Sequence, residues 1–144
     1  MKVLISTNNL LKGLTRLDFI GFSLLRMYLF FIFWNAGTYH LEDFQKFSSY
    51  IVSLEVFLPI PLSYIIIATE IGGAACLLSG LFTRWATLPL IVLMSFSVYF
   101  VHWENGWSQA NNGIETPLTY ILMLMVLTFS GGGKYFSLDY WVSK

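Results

Sequence analysis

Residues 62–82 read LSYIIIATEIGGAACLLSGLF. These twenty-one residues carry one charge, Glu70, in a run that is otherwise apolar or small. About 20 such residues are needed to carry a helix across the hydrocarbon of a bilayer, so the stretch predicts a membrane-crossing helix. Three further runs have the same character on either side of it. Residues 19–37 are interrupted by Arg26 and end in FWNAG, residues 85–101 contain Pro89 early, and residues 117–130 are stopped by three glycines at 131–133. The last run is short for a full crossing. Pro59 and Pro61 mark the start of the second run, and Thr116 followed by Pro117 predicts an N-cap and first helical residue for the fourth.

Composition agrees with this pattern. Hydrophobic residues make up 56% of the 144 and charged residues 11%, with a mean hydropathy of +0.67. Ordinary soluble domains have about 45–50% and about 25%. Four crossings consume roughly 80 residues, which leaves no room for a large catalytic domain outside the membrane. The formal net charge is zero and no basic block exists, which excludes nucleic acid as a partner. Cys76 is the single cysteine, so no intrachain disulfide forms, and no Cys/His cluster has zinc spacing.

The connecting segments set the expected topology. In residues 38–59, Leu41, Phe44, Phe47, Ile51, Leu54 and Leu58 recur every three or four positions between polar residues, the pattern of a helix lying in the interface. Residues 1–17 predict a shorter interfacial turn or helix through Leu10, Leu11, Leu14 and Leu17; polar residues interrupt it too often for a cleaved signal. Lys2, Lys12, Arg16, Arg84, Lys134 and Lys144 fall on one side of four crossings and only Lys46 on the other. The positive-inside rule then puts both termini in the cytoplasm. The predicted fold is a single all-α domain over residues 1–144. It is an integral membrane four-helix bundle in a bacterial cytoplasmic (inner) membrane, with a helix in its first outer loop and the lipid bilayer as its main partner.

Candidate functional residues form three groups. Arg26 and Glu70 are charges inside the predicted spans, each costly there. At 1.5 Å per residue they lie roughly 12 Å and roughly 18 Å from the inner boundary, which predicts a direct pair between spans one and two. Such a pair either lines a polar pocket for a quinone, a carboxylate or a proton, or fixes helix register. At the outer ends, His102, Glu104 and Glu115 are candidates to ligate a metal or to shuttle a proton, with His40 able to join; the alternative is a set of interfacial tryptophan anchors around a hydrogen-bonded histidine. On the inner side, Arg84 and Asp139 predict a cytoplasmic clamp, with anionic-headgroup binding as the alternative. Ala68, Gly72, Cys76 and Gly80, at steps of four, predict a close-packed helix face.

Several of these stretches carry a family resemblance. Residues 25–26 (LR) with 33–37 (FWNAG), 69–73 (TEIGG) with 77–84 (LLSGLFTR), and 131–139 (GGGKYFSLD) resemble DoxX-family membrane proteins. Residues 101–107 (VHWENGW), 111–115 (NNGIE) and 137–141 (SLDYW) are similar to its HvfX-type branch, named for maturation of copper-binding ribosomal peptides. The resemblance implies a four-helix membrane bundle acting as an accessory protein of a redox or copper-peptide maturation system, with quinone or copper as the implied cofactor and a membrane or periplasmic partner. A non-catalytic scaffold or small-molecule carrier is the other expectation.

Overall fold

The computed structural model describes residues 18–134 and 136–142. The interfacial segment expected at 1–17 lies outside the described residues. Those described are helical, with no strand among them: α1 (Asp18–Glu42), α2 (Phe44–Ser53), α3 (Pro59–Ser79), α4 (Thr83–Ser97), α5 (Glu115–Ser130) and α6 (Leu138–Val142). A π-helical turn (Val98–His102) and a 3-10 turn (Trp103–Asn105) continue α4 without a break. The α1 helix, the α3 helix and the run Thr83–Asn105 are each long and apolar enough to cross a membrane. The 16-residue α5 rises only about 24 Å.

The helix ends differ from the sequence expectation for physical reasons. No residue after Gly37 breaks α1, so it runs on through His40. Pro59 takes the first position of α3, where a missing N–H costs nothing, and Gly80 ends the helix at φ +66°. The start of α5 is Glu115 rather than Pro117. Its N-cap is Ile114, and the proline sits within the first turn, still ahead of the first residue that needs its own N–H.

The core is one cluster from four helices: Leu29 and Phe33 of α1, Ala74 and Leu77 of α3, Leu90 of α4, and Leu124 and Leu127 of α5. Outside it, Leu24, Phe31, Ile65, Val92 and Phe129 are exposed. An apolar exterior around an apolar core is the signature of a helical bundle solvated by lipid. The predicted small-residue face is only partly used. A side chain on Gly72 would meet nothing within 4 Å, whereas a Cβ on Gly73 would press on Leu90 and one on Gly37 would lie 2.7 Å from Ile71 Cγ1 and 3.0 Å from Glu70 Cβ. The close approach of α1 to α3 is therefore made at Gly37.

The segment after α5 folds back over the ends of α1, α3 and α4. Ser137 Oγ and the Asp139 N–H both donate to the Gly80 carbonyl, at 2.7 and 3.0 Å. Asp139 accepts from the N–H groups of Phe82 (2.7 Å) and Thr83 (3.0 Å), so it caps α4 from a distant part of the chain. These are contacts a left-handed Phe82 (φ 52°) leaves open.

Candidate functional site around Glu70

Arg26 and Glu70 do not pair. The Arg26 side chain is buried, its Nη2 donates to the Phe136 carbonyl at 2.6 Å, and its guanidinium lies where a Cβ on Gly80 would be. Gly80 is ten residues beyond Glu70, about 15 Å along the helix axis, well past the reach of an arginine. Among the described residues, Nε and Nη1 of Arg26 have no hydrogen-bond partner. Arg26 thus belongs to the Gly80 end of the bundle, where it anchors the returning tail.

Glu70 instead meets His40. The Nδ1–H of His40 donates to Glu70 Oε2 at 2.9 Å, the one imidazole–carboxylate contact of this length among the described residues. The geometry follows from Gly37. Where α1 and α3 touch without an intervening side chain, the next turn of α1 sets residue 40 beside Glu70. The α2 helix closes the other side, since Phe47 stacks on the His40 ring at 4.0 Å and 15°. Glu70 is 4% exposed, so the imidazole supplies the partner a buried carboxylate requires.

His102 reaches the same region from α4. The π-helical turn that ends on it inserts one extra residue, a feature that recurs at functional sites. The His102 Nδ1–H donates to the Asn112 carbonyl at 2.6 Å, and the donor is assigned because a carbonyl only accepts. Asn105 Nδ2 donates to the same carbonyl at 3.2 Å. The loop is closed by Ile114 N–H to Gly106 O (3.0 Å) and Glu115 N–H to Trp107 O (3.1 Å).

Two cavities meet at these groups. One of about 410 Å³ is lined by Phe33, Ala36, Gln109, Thr116 and Tyr120 among others, and one of about 230 Å³ by His40, Phe47, Ile66 and Leu93 among others. Glu70, Met94, Ser97 and His102 line both. The walls are mostly apolar, with a few convergent polar groups, as in sites for small organic ligands.

The expected outer cluster is dispersed. Glu115 turns to its own loop and accepts from the Gln109 N–H at 3.0 Å, while Glu104 lines a separate recess with Tyr99 and Trp103. Only His102 of the three faces the Glu70 cavities. Among the described residues no group of three or more His, Cys, Asp and Glu side chains is placed to hold a metal ion. The expected Arg84–Asp139 clamp is not formed either. Both Asp139 oxygens are taken by amides, and Arg84 Nη2 donates to the Phe129 carbonyl at 3.2 Å. His40 is the residue that sequence reasoning underused. Its signal is the spacing from Gly37, which puts it on the face of α1 that touches α3.

A family model described as DoxX matches residues 21–103. An uncharacterized protein of Haemophilus influenzae is 28% identical over 133 residues, covering 87% of this chain and 85% of that protein. A second uncharacterized protein from the same organism is 39% identical over 67 residues, 44% of this chain and 50% of its own length. No solved structure matches.

Proposed function

We propose a function from one premise: the chain belongs to the DoxX family, as residues 21–103 show. It is a membrane-embedded accessory protein of a redox system, and its outer cavities bind the ring of a quinol. The single observation that carries this reading is the Glu70–His40 pair set with His102 in the wall of the smaller cavity, which Glu70 and His102 share with the larger one. With Nδ1 of each imidazole committed as a donor, to Glu70 and to Asn112, each neutral ring keeps Nε2 as an acceptor. Two acceptors in an apolar chamber suit a ligand with two hydroxyl donors on a flat ring.

The chain's residues supply binding and proton acceptance. Oxidation of a quinol releases two protons and two electrons; Nε2 of His40 and Nε2 of His102 are placed to take one proton each, with Glu70 balancing the charge on His40, while the electrons pass to a redox centre of a partner protein. In this reading the four apolar helices cross a cytoplasmic membrane with both termini inside, as the distribution of basic residues supports. Copper-peptide maturation is the weaker version, because the residues around His102 do not converge on a common point. The stacking of Phe47 on His40 favours a second reading, in which the pair only latches α2 onto α1 and α3, as in a scaffold or carrier.

Titration of the purified protein in detergent with a decyl-chain hydroquinone tests this. Wild type is expected to bind saturably, and His40→Phe and His102→Ala each to bind about tenfold more weakly, the equivalent of one lost hydrogen bond. Equal binding by folded wild type and both variants would leave only the latch.

A further inference from the structure

The opposite end of the bundle carries a groove of about 550 Å³, lined by the three glycines 131–133, Arg84, Lys134 and Trp85 among others. Two observations there point to an anion. The first is charge without a partner. Among the described residues neither Arg84 nor Lys134 forms an ion pair, although Asp18 and Asp139 share the groove. Asp139 is occupied by the amides of Phe82 and Thr83, which leaves it little capacity to neutralise either cation. The second is backbone donors without acceptors. Gly131 N–H bonds to the Leu127 carbonyl, but among the described hydrogen bonds none is donated by the N–H of Gly132, Gly133 or Lys134.

Gly132 is buried, and a buried amide without an acceptor is rare unless something else supplies one. The turn requires glycine, because a Cβ on Gly132 would strike the hydroxyls of Ser137 and Thr83, and Gly131 and Gly133 sit at φ +80° and +84°. Consecutive free amides in such a turn form a concavity for anions, and a guanidinium and an ammonium at its edge add the charge for a phosphate. Phe82 and Trp85 stand exposed on the rim, 61% and 74% open, as side chains do at the headgroup level of a bilayer.

We propose that this groove is a phosphate site, filled by the headgroup of a phospholipid. The site does not depend on the quinol reading, since it lies at the other end of the helices and shares no residue with those cavities. Free phosphate has the same chemistry, so the experiment uses both sources. The delipidated full-length protein in neutral detergent is titrated separately with phosphatidylglycerol, with diacylglycerol of the same chains and with inorganic phosphate, and bound ligand is counted by native mass spectrometry.

Phosphatidylglycerol is expected to bind one per chain, and diacylglycerol at least about tenfold more weakly. Phosphate that displaces the lipid supports the site with a free-anion occupant; phosphate that does not displace it supports the lipid. Lys134→Gln, which removes no hydrogen bond seen among the described residues, is expected to weaken phosphatidylglycerol about fivefold, and Arg84→Gln with Lys134→Gln roughly twentyfold or more, at about one charge contact per cation. Equal binding of diacylglycerol and phosphatidylglycerol, or unchanged lipid binding in folded Lys134→Gln, overturns the proposal.

Discussion

Glu70→Ala is expected to lower the unfolding free energy by about 3–5 kcal/mol, the cost of removing one member of a buried pair. The loss has two sources. His40 keeps an N–H that no longer has an acceptor, and a hole opens beside Gly37, where α1 and α3 have no side chain to refill it. The His40 side chain is 25% open to its surroundings, which allows some rehydration and favours the lower end of that range. Glu70→Gln separates charge from shape. A glutamine oxygen still accepts from Nδ1–H, so its cost is expected to be near 1 kcal/mol. Thermal unfolding in detergent, followed by circular dichroism, measures both, and the double variant Glu70→Ala with His40→Phe isolates the coupling. If Glu70→Ala unfolds within a degree or so of wild type, the carboxylate is not held as described.

Asp139→Ala is expected to have the second largest effect, about 3–5 kcal/mol from two amide bonds to a charged acceptor at about 1.5–3 kcal/mol each, with some rehydration of the freed amides. Both bonds join chain positions more than fifty residues apart, so their loss does not stay local. It releases the first turn of α4, and it weakens the hold of Ser137 and Arg26 on the same returning segment. Limited proteolysis therefore reads this variant more directly than a melting temperature. Cleavage after residue 130 is expected to accelerate at least tenfold in Asp139→Ala, while the four long helices remain protected. Cleavage at the wild-type rate would mean that other contacts suffice to hold the tail.

Much of this architecture is legible in the chain because lipid imposes simple rules. Runs of about 20 apolar residues must be helical, which gives the long runs; the amphipathic spacing of residues 41–58 gives the loop helix and the three glycines give the stop after Ser130. The partners of the charged residues do not follow. Depth along a helix places Arg26 and Glu70 only within an ångström-scale sum of boundary errors, and ending the first span at Gly37 rather than Glu42 hid the residue that Glu70 meets. Arg26 is claimed by a carbonyl 110 positions away, and Asp139 by two backbone amides. Backbone groups have no identity in a sequence, so a motif search pairs side chain with side chain and finds Arg26–Glu70 and Arg84–Asp139 instead. His102 was visible as a residue, but its separation from Glu104 and Glu115 depends on the loop closed through Asn112.

The widened turn at Val98–His102 has a consequence for how this bundle tolerates change. One surplus residue swings everything after it by about 100° around the axis. The direction in which His102 faces is thus set by the wide turn itself. Deleting Tyr99 or Phe100 lets the coil close to ordinary α pitch with the imidazole still facing inward, whereas closing the turn with every residue kept carries the imidazole around to the lipid, with the overall greasiness of the segment unaltered.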